Sequence, residues 1–383
     1  MKKLAIIITH PIQYSVPLFQ RLAPKCDLKV FFTWGEKGLG EKYDPGFKRN
    51  INWDIPMLAG YQYELLDNTA KTPGSHHYSG IKNPLILKKI IDFKPDAILV
   101  YGWAYHGHLK AIRYFKGEIP IWFRGDSNLL NEQNGIKKNL RKLFLTWLYQ
   151  HIDIAFYVGS DNKEYYEKFG LKEHQLLFAP HAIDNNRFFI DETKSAYTLR
   201  KSLGINDRSI LILFAGKLEQ NKNPILLLKA FIDLNLADVH MLFVGNGALE
   251  EKLKRESLSK KSKENNIHFM DFQNQTKMPA IYQSCDLFCL PSQSETWGLV
   301  INEAMASGKA ILVSDAVGCA SDLVSKENGA IFKNDDLDEL KNKLNLLCNN
   351  KLLLMEMGLN SKEIIKDWNI DLQSEIILKQ LNK

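Results

Sequence analysis

The stretch "CDLFCLPSQSETWGLVINEAMASGKAILVSD", residues 285–315, places two apolar runs on either side of a helical pattern. The run CDLFCLPS (285–292) predicts a buried strand, QSETWG a turn, LVINEAMA the start of a helix, and KAILVSD (309–315) a second strand. A strand, a helix and another strand in this order are typical of parallel α/β layers. The stretch therefore predicts an α/β fold.

The same alternation runs through both halves of the chain. The predicted strands are 4–9, 28–33, 96–102, 119–125 and 152–160 in the first half, and 209–216, 240–247, 267–272, 285–292 and 309–315 in the second. Two halves with one plan, in a chain too long for a single ordinary core, predict two domains. The polar, turn-rich segment 181–209 places their junction near 185–205.

Composition and charge predict a folded, soluble protein. Hydrophobic residues make up 45% and charged residues 25% of the 383 residues, and the net charge of +6 is mild. This charge suits an anionic ligand or an anionic membrane surface and is only weak evidence for nucleic acid, so no nucleic-acid partner is expected. The first apolar run ends at Thr9 and no run reaches the roughly 20 residues of a membrane-spanning helix, so we expect a cytoplasmic protein. The scattered cysteines predict reduced thiols rather than disulfides or a metal site.

Two lysines follow the predicted strand 209–216. In FAGKLEQNKNP (214–224) the strand ends at Gly216, whose missing side chain leaves room for an anion, and Lys217 and Lys222 come next. Two ammonium groups at the end of a parallel strand suit a diphosphate. The alternative is a pair of solvated surface lysines.

Two further strand ends carry weaker signals. FVGNG (243–247), with Asn246 in its glycine turn, is compatible with a base or ribose against the backbone, although an ordinary tight turn gives the same pattern. In FMDFQNQTKMP (269–279), Phe272 and Gln273 suit a nucleobase contact or a loop stabilised by polar side chains.

The opening stretch also contains two carboxylates, Glu295 in the predicted loop and Glu303 inside the predicted helix. A helix N-terminus attracts phosphate, and carboxylates beside it can accept hydrogen bonds from sugar hydroxyls. The alternatives are an acidic cap at Glu295 and a helix-edge position at Glu303.

The stretch resembles the signature of the retaining glycosyltransferases of family four. The residues that carry the resemblance are Glu295, Trp297, Gly298, Leu299, Glu303, Ala304, Met305, Ala306 and Gly308. AGKLEQNKNP and NGAIFKNDDLDEL (328–340) are similar to two other segments of that family, so the resemblance covers about 205–340. It implies the GT-B fold, with two Rossmann-like doubly wound domains facing across a cleft. The implied domains are an acceptor domain, 1–190, completed by a helix at about 365–383, and a nucleotide-sugar donor domain, 200–364.

The resemblance also implies roles for these residues. Lys217 and Lys222 would bind the donor diphosphate, Glu303 the ribose hydroxyls and Glu295 hydroxyls of the transferred sugar, with Lys222 and Glu295 acting in catalysis. The backbone amides that would support the sugar and the phosphate are those of Trp297, Gly298 and Leu299. Lys217 stands where many relatives have arginine, so the two-pronged contact of a guanidinium is lost there. No metal and no cofactor beyond a UDP- or GDP-linked co-substrate is expected.

The segment THPIQYSVPLFQRLA (9–23) resembles a narrower subgroup with an N-terminal His-Pro-Ile-Gln-Tyr motif. His10, Gln13 and Tyr14 are expected on the acceptor side. For His10 the alternative is a turn histidine whose hydrogen bonds are satisfied.

In IPIWFRGDSN (119–128), Asp126 stands where many family members have a histidine important for catalysis, and Arg124 precedes it by two residues. Asp126 is expected to polarise an acceptor hydroxyl or to stabilise positive charge on the reacting sugar. The alternative is a structural pair of Asp126 with Arg124 or with the backbone.

YGWAYHGH (101–108) brings Trp103, His106 and His108 after another strand. The two histidines could in principle bind a metal, but no third ligand at a suitable spacing accompanies them. We therefore prefer a role for Trp103, which is expected to stack on an acceptor sugar. The segment GIKKNLRKLFLTWLYQ (135–150) predicts a basic amphipathic helix, which either rests on a membrane surface or packs on the core with a solvated face.

The sequence thus predicts a retaining, metal-independent glycosyltransferase with a glycan or lipid-linked acceptor, in bacterial surface polysaccharide synthesis, in the cytoplasm or peripheral to its membrane. Two alternatives remain. One is a nucleotide-sugar epimerase or hydrolase of the same fold, and the other is a non-catalytic nucleotide-sugar-binding partner subunit.

Overall fold

The computed structural model describes residues 1–130, 132, 136–258 and 266–383. Over these residues the chain divides into two compact units. The first unit comprises Met1–Glu41, Ile55–His181 and Ile370–Lys383, and the second comprises Lys42–Asp54 and Ala182–Asn369.

The strands and helices follow one another along the chain in alternation. The strands are β1 (Lys3–Ile8), β2 (Asp27–Phe32), β3 (Lys42–Asp44), β4 (Arg49–Ile51), β5 (Gln62–Leu65), β6 (Ala97–Tyr101), β7 (Ile121–Arg124), β8 (Ile154–Tyr157), β9 (Leu176–Phe178), β10 (Ile210–Ala215), β11 (Val239–Val244), β12 (Ile267–Met270), β13 (Leu287–Leu290), β14 (Ala310–Ser314) and β15 (Gly329–Phe332). The helices are α1 (Val16–Leu22), α2 (Ile86–Phe93), α3 (His106–Phe115), α4 (Ile136–Tyr149), α5 (Ser160–Lys168), α6 (Asn185–Phe189), α7 (Thr193–Ser202), α8 (Pro224–Leu234), α9 (Glu250–Ser257), α10 (Met278–Ser284), α11 (Leu299–Ala306), α12 (Ala320–Leu323), α13 (Leu337–Cys348), α14 (Lys351–Ile365) and α15 (Ile370–Leu381). Short 3-10 helices lie at Gly35–Gly38, Tyr78–Gly80, Glu173–Gln175 and Gln220–Lys222.

Each unit is built on its own parallel sheet. The strand order is β5-β2-β1-β6-β7-β8-β9 in the first unit and β12-β11-β10-β13-β14-β15 in the second. When the strands of each sheet are counted along the chain, both orders begin 3-2-1-4-5-6, which is the doubly wound Rossmann order. The predicted α/β class with two Rossmann-like domains is therefore confirmed.

The central strands form the core of each unit. The residues of β1 from Leu4 to Ile8 and all residues of β10 are buried. Parallel strands covered by helices on both faces have continuous apolar sequences, which is why the sequence shows them clearly. The predicted strands all exist; β1 and β2 keep the predicted length of six residues, and the others are shorter. The prediction 152–160, for example, contains β8 and the first residue of α5.

The predicted domain limits differ from the units of the structure. The segment 182–190, which the sequence assigns to the first domain, belongs to the second unit. The polar segment that follows it also belongs there and contains α7, which packs on α10. The guanidinium of Arg200, on α7, is buried and donates to the carbonyl oxygens of Ser284 at 2.9 Å and Ser209 at 2.6 Å. This buried arginine ties the predicted junction segment to α10 and to the residue that precedes β10.

A second difference concerns the segment 42–54, which falls inside the predicted domain 1–190. In the structure it forms the antiparallel hairpin β3-β4 and belongs to the second unit. At the other end of the chain, α15 belongs to the first unit, where it packs on α1.

Candidate functional site

In the second unit, the topological switch point lies between β10 and β13. Strand β10 pairs with β11 on one side and with β13 on the other. A doubly wound sheet binds ligands beyond the carboxyl ends of its strands at this point. The segment after β10 contains Lys217 and Lys222, and the segment after β13 contains Glu295, so the sequence places these predicted site residues there.

The structure brings Lys222 and Glu295 into direct contact. The Nζ of Lys222 donates to Oε2 of Glu295, and the two side chains are only 19% and 18% exposed. The backbone of Glu295 is fixed by hydrogen bonds to both Ala316, at 3.1 Å, and Gly318, at 3.2 Å. The pair therefore sits on a rigid loop at the switch point.

Burial controls the charge of Lys222. It lowers the pKa of the ammonium group to about 8, with Glu219 acting against this shift and Lys217 adding to it. The ammonium group carries three donors, and the neighbouring carboxylate of Glu295 favours its charged form. The ammonium group of Lys222 can therefore bind an anion, either together with the carboxylate of Glu295 or in place of it.

Lys217 lies next to open space at the end of β10. A side chain added at Gly216 would meet nothing within 4 Å, although the N–H of Gly216 itself donates to Val244 at 3.0 Å. The Nζ of Lys217 pairs with the carboxylate of Asp44 at 3.1 Å. The space for an anion predicted at Gly216 is present, and Lys217 is already bound to a carboxylate of the hairpin.

Asn246 is a hydrogen-bonding centre at the end of β11. Its Oδ1 accepts from Nη1 of Arg49 at 3.0 Å and from the N–H of Phe272 at 2.8 Å. Its Nδ2 donates to the carboxylates of Glu250 and Asp271, both at 3.0 Å. Asn246 and Phe272, both predicted as donor contacts, are thus brought together, and the amide of Asn246 is saturated by protein groups.

The loop after β13 ends at the start of α11. Gly298 precedes this helix with φ 100°, a conformation that favours glycine, and a side chain there would approach Val317 to 3.0 Å. Trp297 is buried and donates through Nε1 to Oδ1 of Asn302 at 3.0 Å. The predicted backbone contacts, those of Trp297, Gly298 and Leu299, therefore lie at the N-terminal end of α11, and the indole of Trp297 fixes the loop.

Glu303 lies within α11 and is only 2% exposed. Its Oε2 accepts a hydrogen bond from the hydroxyl of Tyr282 at 2.7 Å. The expected contact of Glu303 with ribose hydroxyls stays a prediction and requires the carboxylate to become accessible.

In the first unit, the corresponding switch point lies between β1 and β6. His10 follows β1, and its Nδ1 is 2.9 Å from Oγ1 of Thr9 while its ring contacts Trp34. Gln13 lies in the turn before α1. Trp103 follows β6 and packs against the ring of Phe144, with centroids 5.0 Å apart. These residues lie at the edge where a ligand of this unit is expected, and their acceptor roles stay predictions.

Arg124 is the last residue of β7, and Asp126 follows two residues later. Arg124 is 3% exposed and donates to the carbonyl oxygens of Ala179 and Pro180, both at 2.9 Å. These contacts hold the guanidinium of Arg124 in the first unit. The catalytic role of either residue and the alternative pair of Asp126 with Arg124 or with the backbone both stay predictions.

His181 was missed by the sequence analysis. Burial lowers the pKa of His181 to about 4, the charge of Arg124 acts in the same direction, and that of Asp126 opposes it. The three side chains therefore form one electrostatic group. His181 follows the short strand β9, which the sequence does not predict. A strand predicted there would have placed His181 at a strand end, where site residues are expected.

The histidines after β6 do not form a metal site. His108 is buried between Thr33 and the carbonyl oxygen of Gly102, at 2.8 and 2.9 Å. Among the residues that the structure describes, no group of three or more His, Cys, Asp or Glu side chains is arranged to hold a metal ion. Metal independence stays a prediction.

The predicted basic helix corresponds to α4, although Gly135 and the side chain of Lys137 lie outside the described residues. On this helix Leu140, Leu143 and Trp147 are 63%, 70% and 37% exposed. No helix within the described ranges is both long and apolar enough to cross a membrane.

A comparison with protein families identifies the second unit. The model of the family described as Glycosyl transferases group 1 matches residues 196–364. These residues are similar to the group 1 glycosyltransferases. The group 1 domain contains both sides of the switch point described above, and the family suggested by the sequence signature is confirmed over this part of the chain.

Two curated relatives come from Campylobacter jejuni subsp. jejuni serotype O:2. One, a GalNAc-alpha-(1->4)-GalNAc-alpha-(1->3)-diNAcBac-PP-undecaprenol alpha-1,4-N-acetyl-D-galactosaminyltransferase, is 30% identical over 60% of this chain and 60% of its own. The other, an N,N'-diacetylbacillosaminyl-diphospho-undecaprenol alpha-1,3-N-acetylgalactosaminyltransferase, is 25% identical over 64% of this chain and 65% of its own. The chain thus matches less than two thirds of the length of either relative.

Solved structures show that the likeness in fold extends over the whole chain. The crystal structure of HepE from Anabaena in complex with UDP has a TM-score of 0.75 and 18% identity, and the match covers 100% of both chains. The sucrose-phosphate synthase of Thermosynechococcus elongatus has a TM-score of 0.73 and 16% identity, with 100% of this chain and 99% of its own covered. The predicted GT-B fold class is confirmed.

Proposed function

We propose that the protein is a retaining glycosyltransferase that moves a sugar from a UDP- or GDP-linked donor to a hydroxyl of a glycan or lipid-linked acceptor. The observation that carries the proposal is the contact of Lys222 with Glu295 at the β10/β13 switch point of the group 1 domain. This contact supports the proposal, because an ammonium group suits a diphosphate and a carboxylate suits sugar hydroxyls, and a nucleotide sugar contains both groups.

The proposed chemistry depends on fixed charges. When the bond between the sugar and the diphosphate breaks, negative charge grows on the leaving phosphate, and Lys217 and Lys222 stabilise it. Glu295 accepts hydrogen bonds from the transferred sugar and exchanges its contact with Lys222 for them. The cations supply the charge neutralisation, so the proposal includes no metal.

The names of the two Campylobacter relatives support a lipid-linked saccharide acceptor, because each name contains a saccharide linked to diphospho-undecaprenol. We assign the protein to bacterial surface polysaccharide synthesis on this basis. A peripheral contact with the inner membrane surface belongs to the same proposal. The exposed apolar stripe of Leu140, Leu143 and Trp147 on α4, beside the exposed Lys142, supports it.

A screen of nucleotide sugars, carried out with the wild type and with Lys222→Ala, tests the assignment. Thermal shift selects the donor, and transfer is then measured with lipid-linked saccharide acceptors. The variant is expected to lose at least about a hundredfold in turnover, as when a donor aimed at a developing anion is removed. The matched control is Lys326→Ala, which removes an exposed lysine of the same unit and should leave the rate unchanged.

The same assay separates the alternatives. Unchanged transfer by the Lys222 variant would reject the assignment. Donor turnover that does not depend on an acceptor would favour the epimerase or hydrolase, and a chain that binds donors but turns none over would favour the non-catalytic subunit.

A further inference from the structure

A hairpin from the first half of the sequence is built into the second unit. We call residues 42–54, which contain β3 and β4, the inserted hairpin. It contacts the loops that follow β10, β11 and β12, through Lys217, Asn246 and Phe272 respectively. All three are residues for which the sequence predicts a donor-binding role, so the inserted hairpin lies on the predicted donor site.

The tip of the inserted hairpin is shaped around Lys217. Oδ1 of Asp44 accepts from the N–H groups of Gly46 at 2.8 Å and Phe47 at 3.1 Å, and from Nζ of Lys217 at 3.1 Å. Any side chain at Gly46 would come within 2.5 Å of Cδ of Lys217. The ammonium also lies 5.3 Å from the centre of the Phe47 ring. The carboxylate of Asp44, the backbone of Gly46 and the ring of Phe47 therefore surround the side chain of Lys217 and fix it.

Arg49, on β4, is the second cation at this place. Its Nη1 donates to Oδ1 of Asn246 at 3.0 Å, and its guanidinium lies over the ring of Phe272 at 5.6 Å. In the part of the chain that the structure describes, no carboxylate lies within ion-pair distance of Arg49. Its cross-strand neighbour Asp44 is engaged by Lys217 instead. A partly buried guanidinium held by one amide oxygen and a ring face keeps most of its N–H donors for a ligand.

Arg49 lies near the open space beside Gly216, because Asn246 contacts both Arg49 and the segment that follows Gly216. Asn246, which holds Arg49, also accepts the N–H of Leu218 through its backbone oxygen at 3.0 Å. Gly216 and Lys217 therefore lie directly beside the residue that anchors the guanidinium. A rigid aromatic group flanks this arrangement, because the Phe47 and Phe272 rings are 4.9 Å apart and Trp53 lies 6.1 Å from Phe272.

We propose that the inserted hairpin is part of the donor site and that Arg49 binds the nucleoside diphosphate portion of the donor as a third cation beside Lys217 and Lys222. This inference rests on the proposed function, because it assumes a nucleotide-sugar donor. A guanidinium binds phosphate oxygens in a planar, two-pronged manner, which two ammonium groups do not offer. The aromatic group beside it suits a planar base.

Binding of UDP and GDP to the full chain, measured by titration calorimetry, tests the inference. Arg49→Gln keeps an amide that can bind Asn246 but removes the charge, and it should weaken binding of the preferred nucleotide about tenfold or more. Arg49→Lys should give an intermediate loss, because it keeps the charge without the planar group. The control is Lys48→Gln, which removes a charge from an exposed side chain of the same hairpin and should stay within about twofold of the wild type.

The outcomes separate this inference from the proposed function. If the wild type binds a nucleotide and Arg49→Gln binds it equally well or more tightly, only the hairpin inference falls. If the wild type binds neither UDP nor GDP, the proposed donor falls and the hairpin inference falls with it. Unchanged melting temperatures for the variants exclude unfolding as the cause of a loss.

Discussion

At the scale of single residues, the contact between Lys222 and Glu295 decides what the site can do. Each side chain is more than four fifths buried, so removing one would leave the charge of the other without a partner in a poorly hydrated place. A ligand that enters must therefore satisfy both at once. An anion next to hydroxyl groups does so, whereas an anion alone leaves Glu295 unsatisfied.

The pKa of Lys222 predicts how nucleotide affinity depends on pH. Because burial lowers this pKa to about 8, the ammonium is charged below pH 8 and loses its proton above it. The affinity for UDP or GDP should therefore be constant near pH 7 and fall toward about tenfold per pH unit above 8. Titration calorimetry at constant ionic strength between pH 6.5 and about 9.5 measures this, since phosphate with a second pKa of about 6 is fully ionised over most of the range.

The control for the pH profile is Lys222→Arg. A guanidinium does not lose its proton in this range, so the affinity of the variant should not change with pH. A wild-type affinity that stays constant up to pH 9.5 would show that Lys222 does not meet the phosphate.

The sequence indicates the candidate residues of the site but not the residues that they contact. Lys222 and Glu295 were selected separately, and their contact joins positions 73 residues apart. Tyr282, which holds Glu303, lies on a different helix from it, and Arg49 precedes Asn246 by 197 residues. Strand ends and signatures identify groups of one segment, whereas these partners depend on which segments the fold brings together.

At the scale of elements, the central strands are predictable from the sequence, whereas β5, β9 and the inserted hairpin are not. β1 and β10 are continuous apolar runs because both faces are buried, whereas β5 and β9 are short strands at the sheet edges. The inserted hairpin has strands of three residues and a polar sequence, so no periodicity indicates it. Its structure depends on contacts with Lys217 and Asn246, which only the folded second unit supplies.

Helix α4 allows a test of the membrane contact. Leu140→Glu with Leu143→Glu places two carboxylates in the exposed apolar stripe and should abolish sedimentation with vesicles of anionic phospholipid. The matched control is Leu352→Glu with Met355→Glu, on the exposed apolar stripe of α14, which should sediment like the wild type. Equal sedimentation of the α4 variant and the wild type would contradict the contact, and loss only in the control would assign it to α14.

At the scale of the whole molecule, the chain passes between the two units four times, after Glu41, Asp54, His181 and Asn369. Each unit nevertheless has its own sheet and its own buried core. The inserted hairpin gives the first half of the sequence a part in the donor site, and α15 gives the end of the described chain a part in the first unit. A domain division by sequence position alone cannot represent either exchange.

The separate cores predict separate responses to a core mutation and to a nucleotide. Ile377, on α15, is fully buried in the first unit, and Ile377→Ala should lower the stability of that unit by about 2–5 kcal/mol. The exposed ion pair of Arg21 with Asp371 contributes far less to holding α15.

In scanning calorimetry, UDP or GDP should raise only the transition of the second unit, by the same amount in Ile377→Ala as in the wild type. Leu344→Ala, in the core of the second unit, should instead lower the nucleotide-sensitive transition. A single transition that both variants and the nucleotide shift together would show that the two units unfold as one.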